Sequence, residues 1–104
     1  MPRSAIAQLP NLPVEREGEL KSLHAENPTT IRFLNSTAEE LQVFWLDYEG
    51  KRKLYGTIEP SGRFFLNTFA THPWILVNGQ GKALSIFIAQ IEAGIGVLVP
   101  ELIN

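Results

Sequence analysis

Short runs of β-branched and aromatic residues recur along this chain, and clusters of Gly, Pro, Asn and Ser interrupt them every roughly 8 to 12 residues. No stretch makes a convincing helix. That punctuation restricts the chain to short strands joined by tight turns, which bury their apolar faces as a β-sandwich or a small barrel. With 104 residues there is room for one domain. The expected fold is all-β, an antiparallel β-sandwich of about seven or eight strands.

Taken in order, residues 1–17 hold Pro2, Pro10 and Pro13 and end in Glu15-Arg16-Glu17. Proline removes a donor and locks φ, so this part reads as an N-terminal arm or linker outside the core, with the sandwich domain over 18–104. A helix over residues 14–23 is opposed by Gly18, which costs about 1 kcal/mol against alanine in a helix interior. A strand over residues 20–23 is expected instead. Residues 29–34 alternate, with Ile31 and Phe33 on one face and Arg32 on the other. Gln42, Val43, Phe44 and Trp45 give the next strand. Tyr48-Glu49-Gly50-Lys51 reads as a hairpin, with Gly50 free to take positive φ. A strand to Tyr55 follows, then the turn Glu59-Pro60-Ser61-Gly62 and strands over residues 63–68, 74–77 and 83–89. Gly94-Ile95-Gly96 leads into a last strand over residues 97–99.

Residues 41–76 hold eight of the ten aromatic side chains and also His72. Apolar residues occupy both parities of the first strand there: Leu41, Val43 and Trp45 against Phe44, Leu46 and Tyr48. A one-faced antiparallel strand would alternate apolar with polar. Either the second face is covered, or an aromatic surface is kept for a ligand.

Several function classes are excluded by what is missing. The net charge of −2 leaves no electrostatic footprint for nucleic acid, and Lys51-Arg52-Lys53 reads as a solvated hairpin tip. The absence of cysteine removes a disulfide scaffold, a thiolate zinc site and a cysteine nucleophile. No apolar run approaches the roughly 20 residues of a spanning helix, and residues 1–13 lack the apolar core of a secretory signal. Neither a membrane partner nor export is expected, and the cytoplasm is the default compartment. Two histidines and one aspartate give no metal-ligand set, no serine stands in a G-x-S-x-G elbow, and no glycine-rich loop opens a helix. The chain is expected to be no enzyme and to carry no cofactor.

What is left is an aromatic cluster with a few hydroxyl and imidazole groups: Trp45, Tyr55, Thr68, His72 and Trp74. These residue types suit a binding slot with apolar walls and a polar base. They suit equally a structural or assembly sandwich whose rings are only core, or a carbohydrate-binding sandwich whose tryptophans stack on sugar rings.

From residue 20 to about residue 99 the chain resembles the β-domain of the von Hippel–Lindau tumour suppressor. The likeness is carried by FLNST (33–37), VFWLDYEGKRKLY (43–55), EPSG (59–62) and TFATHPW (68–74). It includes a W-L-x-[FY]-x-G core, a tyrosine five residues past the glycine, and H-x-W. The resemblance implies a sandwich that reads 4-hydroxyproline in an extended peptide. It implies that Trp45, Tyr55 and Trp74 wall and floor a slot for the pyrrolidine ring. The Thr68 hydroxyl and His72 imidazole would then bond the substrate hydroxyl, and the Tyr55 hydroxyl would hold the peptide backbone. Thr68 stands where the family has serine, and its methyl narrows the slot. Phe64, Asn67 and Phe69 stand where the animal proteins carry arginine, histidine and tyrosine, at positions that flank the peptide. The family's helical domain, which recruits elongin C, has no room in residues 100–104, so no elongin C partner is expected. The expected partner is a protein or peptide carrying hydroxyproline.

Overall fold

The alternation of Ile31 and Phe33 with Arg32 becomes a strand in which buried residues alternate with exposed or half-buried ones, Pro28–Asn35. In the computed structural model, which describes residues 6–99, it is one of eight strands. These are β1 (Ile6–Gln8), β2 (Pro28–Asn35), β3 (Leu41–Leu46), β4 (Arg52–Ile58), β5 (Arg63–Phe69), β6 (Pro73–Val77), β7 (Ala83–Ile88) and β8 (Ala93–Leu98). One sheet runs β1-β8-β2-β5 and the other β4-β3-β6-β7. The second is antiparallel throughout. In the first, β2 pairs antiparallel with β5, while β8 pairs parallel with both β1 and β2. The chain is the all-β sandwich that its turn spacing calls for.

Between the sheets lies one apolar cluster, built from Ile31 and Phe33 of β2, Leu41 and Val43 of β3, Ile58 and Leu66, Trp74 and Leu76 of β6, and Phe87 and Leu98. The residues of opposite parity form a second cluster on the outer face of the other sheet. Leu46, Ile75, Val77 and Ile86 are buried there, under Leu12 and Leu20. This explains why β6 is buried at every position and why β3 is apolar on both parities. The second face is indeed covered, by the chain's own N-terminal part.

That part departs from the sequence expectation in three ways. Ile6–Gln8 form a strand rather than linker, added parallel to β8. Leu9 inserts into the central cluster and is almost fully buried. Gly94 makes room for it, since a Cβ there would lie 2.8 Å from the Leu9 side chain. The expectation that residues 1–17 stay outside the core therefore fails at Leu9: three prolines disfavour regular structure, but they do not stop a leucine between them from being buried. Further on, residues 14–19 form a 3₁₀ helix, Val14–Glu19, and the strand expected over residues 20–23 does not form. Three-residue turns tolerate Gly18 better than an α-helix does, because few residues are committed to them. The last strand begins at Ala93, not residue 97, so Gly94 and Gly96 lie within it. Each glycine is where another side chain crosses the backbone: a Cβ on Gly96 would lie 2.9 Å from Phe33. Pro2 of the arm and residues 100–104 lie outside the described residues.

Arg52 fastens the 3₁₀ helix to the sandwich. It donates to both Glu17 carboxylate oxygens, at 2.7 and 2.8 Å, and lies over the Phe44 ring at 5.7 Å. Lys51 lies 3.5 Å from Glu49. Two cations of the Lys51-Arg52-Lys53 trio are thus paired with neighbouring carboxylates.

Candidate functional site

Strand register delivers the site. Trp45 on β3 and Trp74 on β6 are directly opposed, so their indoles lie on one face of the sheet. On the other side of β3 the register slips: Val43 pairs with Gly56 but Phe44 pairs with Leu54. Tyr55 is the extra residue of this bulge, and a bulge re-aims the side chain it carries. The Tyr55 ring meets Trp74 edge-on at 4.9 Å and Trp45 edge-on at 6.2 Å. β4 and β5 end their respective sheets, so the rings gather where the sandwich is open.

Thr68 reaches the same place from β5. His72 arrives by a turn closed by its N–H to the Phe69 carbonyl, at 3.1 Å. Thr71 in that turn has φ of 84°, a left-handed conformation that β-branched residues rarely adopt. Pro73 follows, where an extended His72 was expected.

Trp45, Tyr48, Tyr55, Thr68, His72 and Trp74, with Asn67 and Phe69 beside them, line a single cavity of about 180 Å³. At roughly 30 Å³ of liquid volume per water, that is space for about six waters, a small group rather than a cofactor. Thr68, His72 and Trp74 are buried, while Tyr48 and Tyr55 are about half exposed. The cavity has a closed floor and an aromatic rim. All five residues singled out in the sequence are brought together. Of the three flanking positions, Asn67 and Phe69 also line the cavity. Phe64 does not: it packs against the central cluster with its ring on Gly56, where a Cβ would come within 2.7 Å.

Hydrogen bonds orient the floor. Trp74 donates its indole N–H to the Thr68 hydroxyl at 3.1 Å. His72 Nε2 lies 3.0 Å from the His24 carbonyl. A carbonyl only accepts, so Nε2 carries the proton and Nδ1 is the acceptor. Nδ1 has no hydrogen bond among the described residues. Burial holds the His72 pKa below its ordinary value of 6.5, although the bond to the His24 carbonyl works in the opposite direction. The ring is therefore neutral at pH 7.

Sequence reasoning missed three contributors. Tyr48 lies at a turn in which the Asp47 carboxylate accepts from the N–H groups of Glu49 and Lys51 at 2.8 and 2.9 Å. Its hydroxyl is 3.3 Å from His72 Nε2, and its ring meets Trp45 and His72 edge-on. Its place in the W-L-x-[FY]-x-G core was the available signal. Ser22 and the His24 carbonyl act from a segment without regular structure, where no pattern announces them.

A larger concavity lies elsewhere. About 620 Å³ in volume, it is lined by Leu20, Leu23, Pro73, Ile88 and Ile91 among others. Its lining is mostly apolar. The smaller slot has the convergence that a selective site needs.

A β-sandwich with an aromatic slot between two sheet-edge strands has the build of a binding module. The family model of the VHL beta domain matches residues 20–92, and the chain belongs to that family. Membership makes it a binding module for protein–protein interaction. Among the described residues, no helix is long and apolar enough to cross a membrane.

Proposed function

We propose that the slot receives the ring of a 4-hydroxyproline presented by an extended peptide. The observation that carries this reading is the convergence of Trp45, Tyr55, Thr68, His72 and Trp74 on one small cavity. The Thr68 oxygen already accepts from Trp74, so its own proton is available to a guest. Nδ1 of His72 offers a lone pair. A guest hydroxyl can accept from the first and donate to the second. Plain proline would displace water from both groups without replacing its hydrogen bonds, at about 1–3 kcal/mol each. Among the described residues β4 is a sheet edge beside the slot, and its backbone suits pairing with an extended ligand. On this reading the half-exposed Tyr55 hydroxyl holds the peptide main chain.

The test is calorimetric titration with matched peptides that differ only in proline or 4-hydroxyproline. Tight binding of the hydroxylated peptide alone supports the reading. Equal affinity for the two, or none for either, removes it.

A purely structural role is favoured by one observation, the nearly complete burial of Trp74. On that reading the rings are only packing. No peptide binds, and substituting His72 changes stability alone.

A further inference from the structure

We propose that residues 22–24 are a strap that sets the specificity of the slot by fixing Trp45 and His72 together. Three successive residues each bond to a different part of the site. The Ser22 hydroxyl accepts the Trp45 indole N–H at 2.8 Å and donates to the Leu46 carbonyl at 2.7 Å. The Ser22 N–H donates to the Asp47 carbonyl at 3.0 Å. The Leu23 N–H faces the Thr71 hydroxyl at 3.4 Å, the residue before His72. The His24 carbonyl accepts from His72 Nε2 at 3.0 Å.

Little else holds this segment. It belongs to no strand or helix, and Leu23 is 63% exposed on the rim of the open apolar groove. Ser22, by contrast, is 2% exposed, and its single proton is committed to Leu46. The anchored end of the strap is thus a buried serine, and the working end is a carbonyl two residues later. Trp45 and His72 are themselves stacked, so the strap grips both members of one pair.

The consequence is chemical. A neutral imidazole can carry its proton on either nitrogen, and only an outside partner decides which. Here the partner is the His24 carbonyl, with the Tyr48 oxygen 3.3 Å from Nε2 as a second, longer acceptor. While the strap is in place, Nδ1 is kept as an acceptor. When it shifts, part of the population carries the proton on Nδ1 and loses the acceptor that a guest hydroxyl needs. Ser22 is therefore a positioning residue for His72, although the two do not touch.

The effect on ligand choice rests on the hydroxyproline reading; the effect on the imidazole does not, and it is read in the free protein. Nitrogen-15 spectra of the His72 ring in the unliganded wild type should show a protonated Nε2 and a bare Nδ1. In Ser22→Ala, shown to be folded by circular dichroism, both ring nitrogens should move towards averaged values. The preference for the hydroxyprolyl over the prolyl peptide should fall by about tenfold, as expected when one hydrogen bond to the guest is weakened. Ser22→Thr, which keeps the hydroxyl, should restore the wild-type spectrum. If Ser22→Ala does not fold, Leu23→Gly loosens the same strap at an exposed position and should shift the ring signals in the same direction. Unchanged ring signals in a folded strap variant overturn the proposal. If neither peptide binds the wild type, the hydroxyproline reading fails, and the ring spectra still decide the role of the strap.

Discussion

The rings of Trp45 and His72 stack, with centroids 5.3 Å apart and 28° between their planes. Trp45 comes from the middle of the second sheet, and His72 from the turn before β6. An imidazole covered on one face by an indole, with Phe69 at 5.6 Å and Tyr48 edge-on at 5.5 Å, is well shielded from water. That shielding, more than any nearby charge, lowers its pKa.

The pH dependence follows from that direction. His72 binds a proton less readily folded than unfolded, so its burial contributes stability above the unfolded value of about 6.5. The contribution is lost progressively as pH falls through the native pKa. Protonation also removes the lone pair on Nδ1. Affinity for a hydroxyprolyl peptide should therefore be constant from about pH 7 to 8 and decline below the native pKa of His72. Calorimetry across this range, repeated on His72→Asn, checks it. An acid-side decline that persists in His72→Asn would assign the effect to another group.

His72→Ala should abolish the preference for hydroxyproline over proline, a loss of at least tenfold in affinity for the hydroxylated peptide. The fold should survive, because the ring sits at the edge of the sandwich and outside the central cluster. Far-ultraviolet circular dichroism and peptide titration together test both halves.

Substitutions at Thr68 should separate its hydroxyl from its methyl. Thr68→Val leaves the buried Trp74 N–H without its acceptor, which costs about 1–3 kcal/mol of stability. It should also remove the donor available to a guest. Thr68→Ser keeps both bonds and widens the slot by one methyl, so hydroxyprolyl affinity should hold or rise. Urea denaturation and titration of the two variants give the comparison.

Leu9→Ala should destabilise the protein by about 2–4 kcal/mol, the range for a leucine removed from a packed core. Leu9 is 2% exposed and lies on the backbone at Gly94. A change below about 0.5 kcal/mol in chemical denaturation would return residues 6–13 to the status of a loose arm.

These outcomes trace how far the sequence could be read. Strands β2 to β7 were legible, because alternation and turn residues are local signals and here they agree. The segment before residue 28 was not. Its prolines and Gly18 speak only of local preference, whereas Leu9, Leu12 and Leu20 are placed by distant partners on β8 and on the outer face of the second sheet. Both faces of β3 being apolar was visible, but the chain's own N-terminal part as its cover was not. At the slot, spacing alone left Trp45, Tyr55, Thr68, His72 and Trp74 divided between core and ligand site, and the family likeness tipped the balance. The bulge that aims Tyr55 and the carbonyl that orients His72 are backbone features, and no side chain advertises them. The inward turn of Phe64 was hidden for a related reason: Gly56 opposite it leaves room for the ring.

The pairing of Glu17 with Arg52 offers the last test, because it joins the 3₁₀ helix to an edge of the slot-bearing sheet. Arg52 forks onto both carboxylate oxygens, and its bond holds the Glu17 pKa below the ordinary 4.5. A depressed carboxylate pKa gives stability that is present above the unfolded value and lost as pH falls through the native one. Both side chains keep roughly a quarter to a third of their exposure, so water screens the pair and its worth is about 1 kcal/mol or less. Glu17→Gln should lower stability by that amount at pH 7, with the difference shrinking at high salt and vanishing once the pH lies below the native pKa of Glu17. Because the buried Ser22 anchors the strap beyond this helix, the same substitution should leave the His72 ring signals unchanged. Urea denaturation with and without 1 M salt, paired with the nitrogen-15 spectrum, measures both effects in one variant.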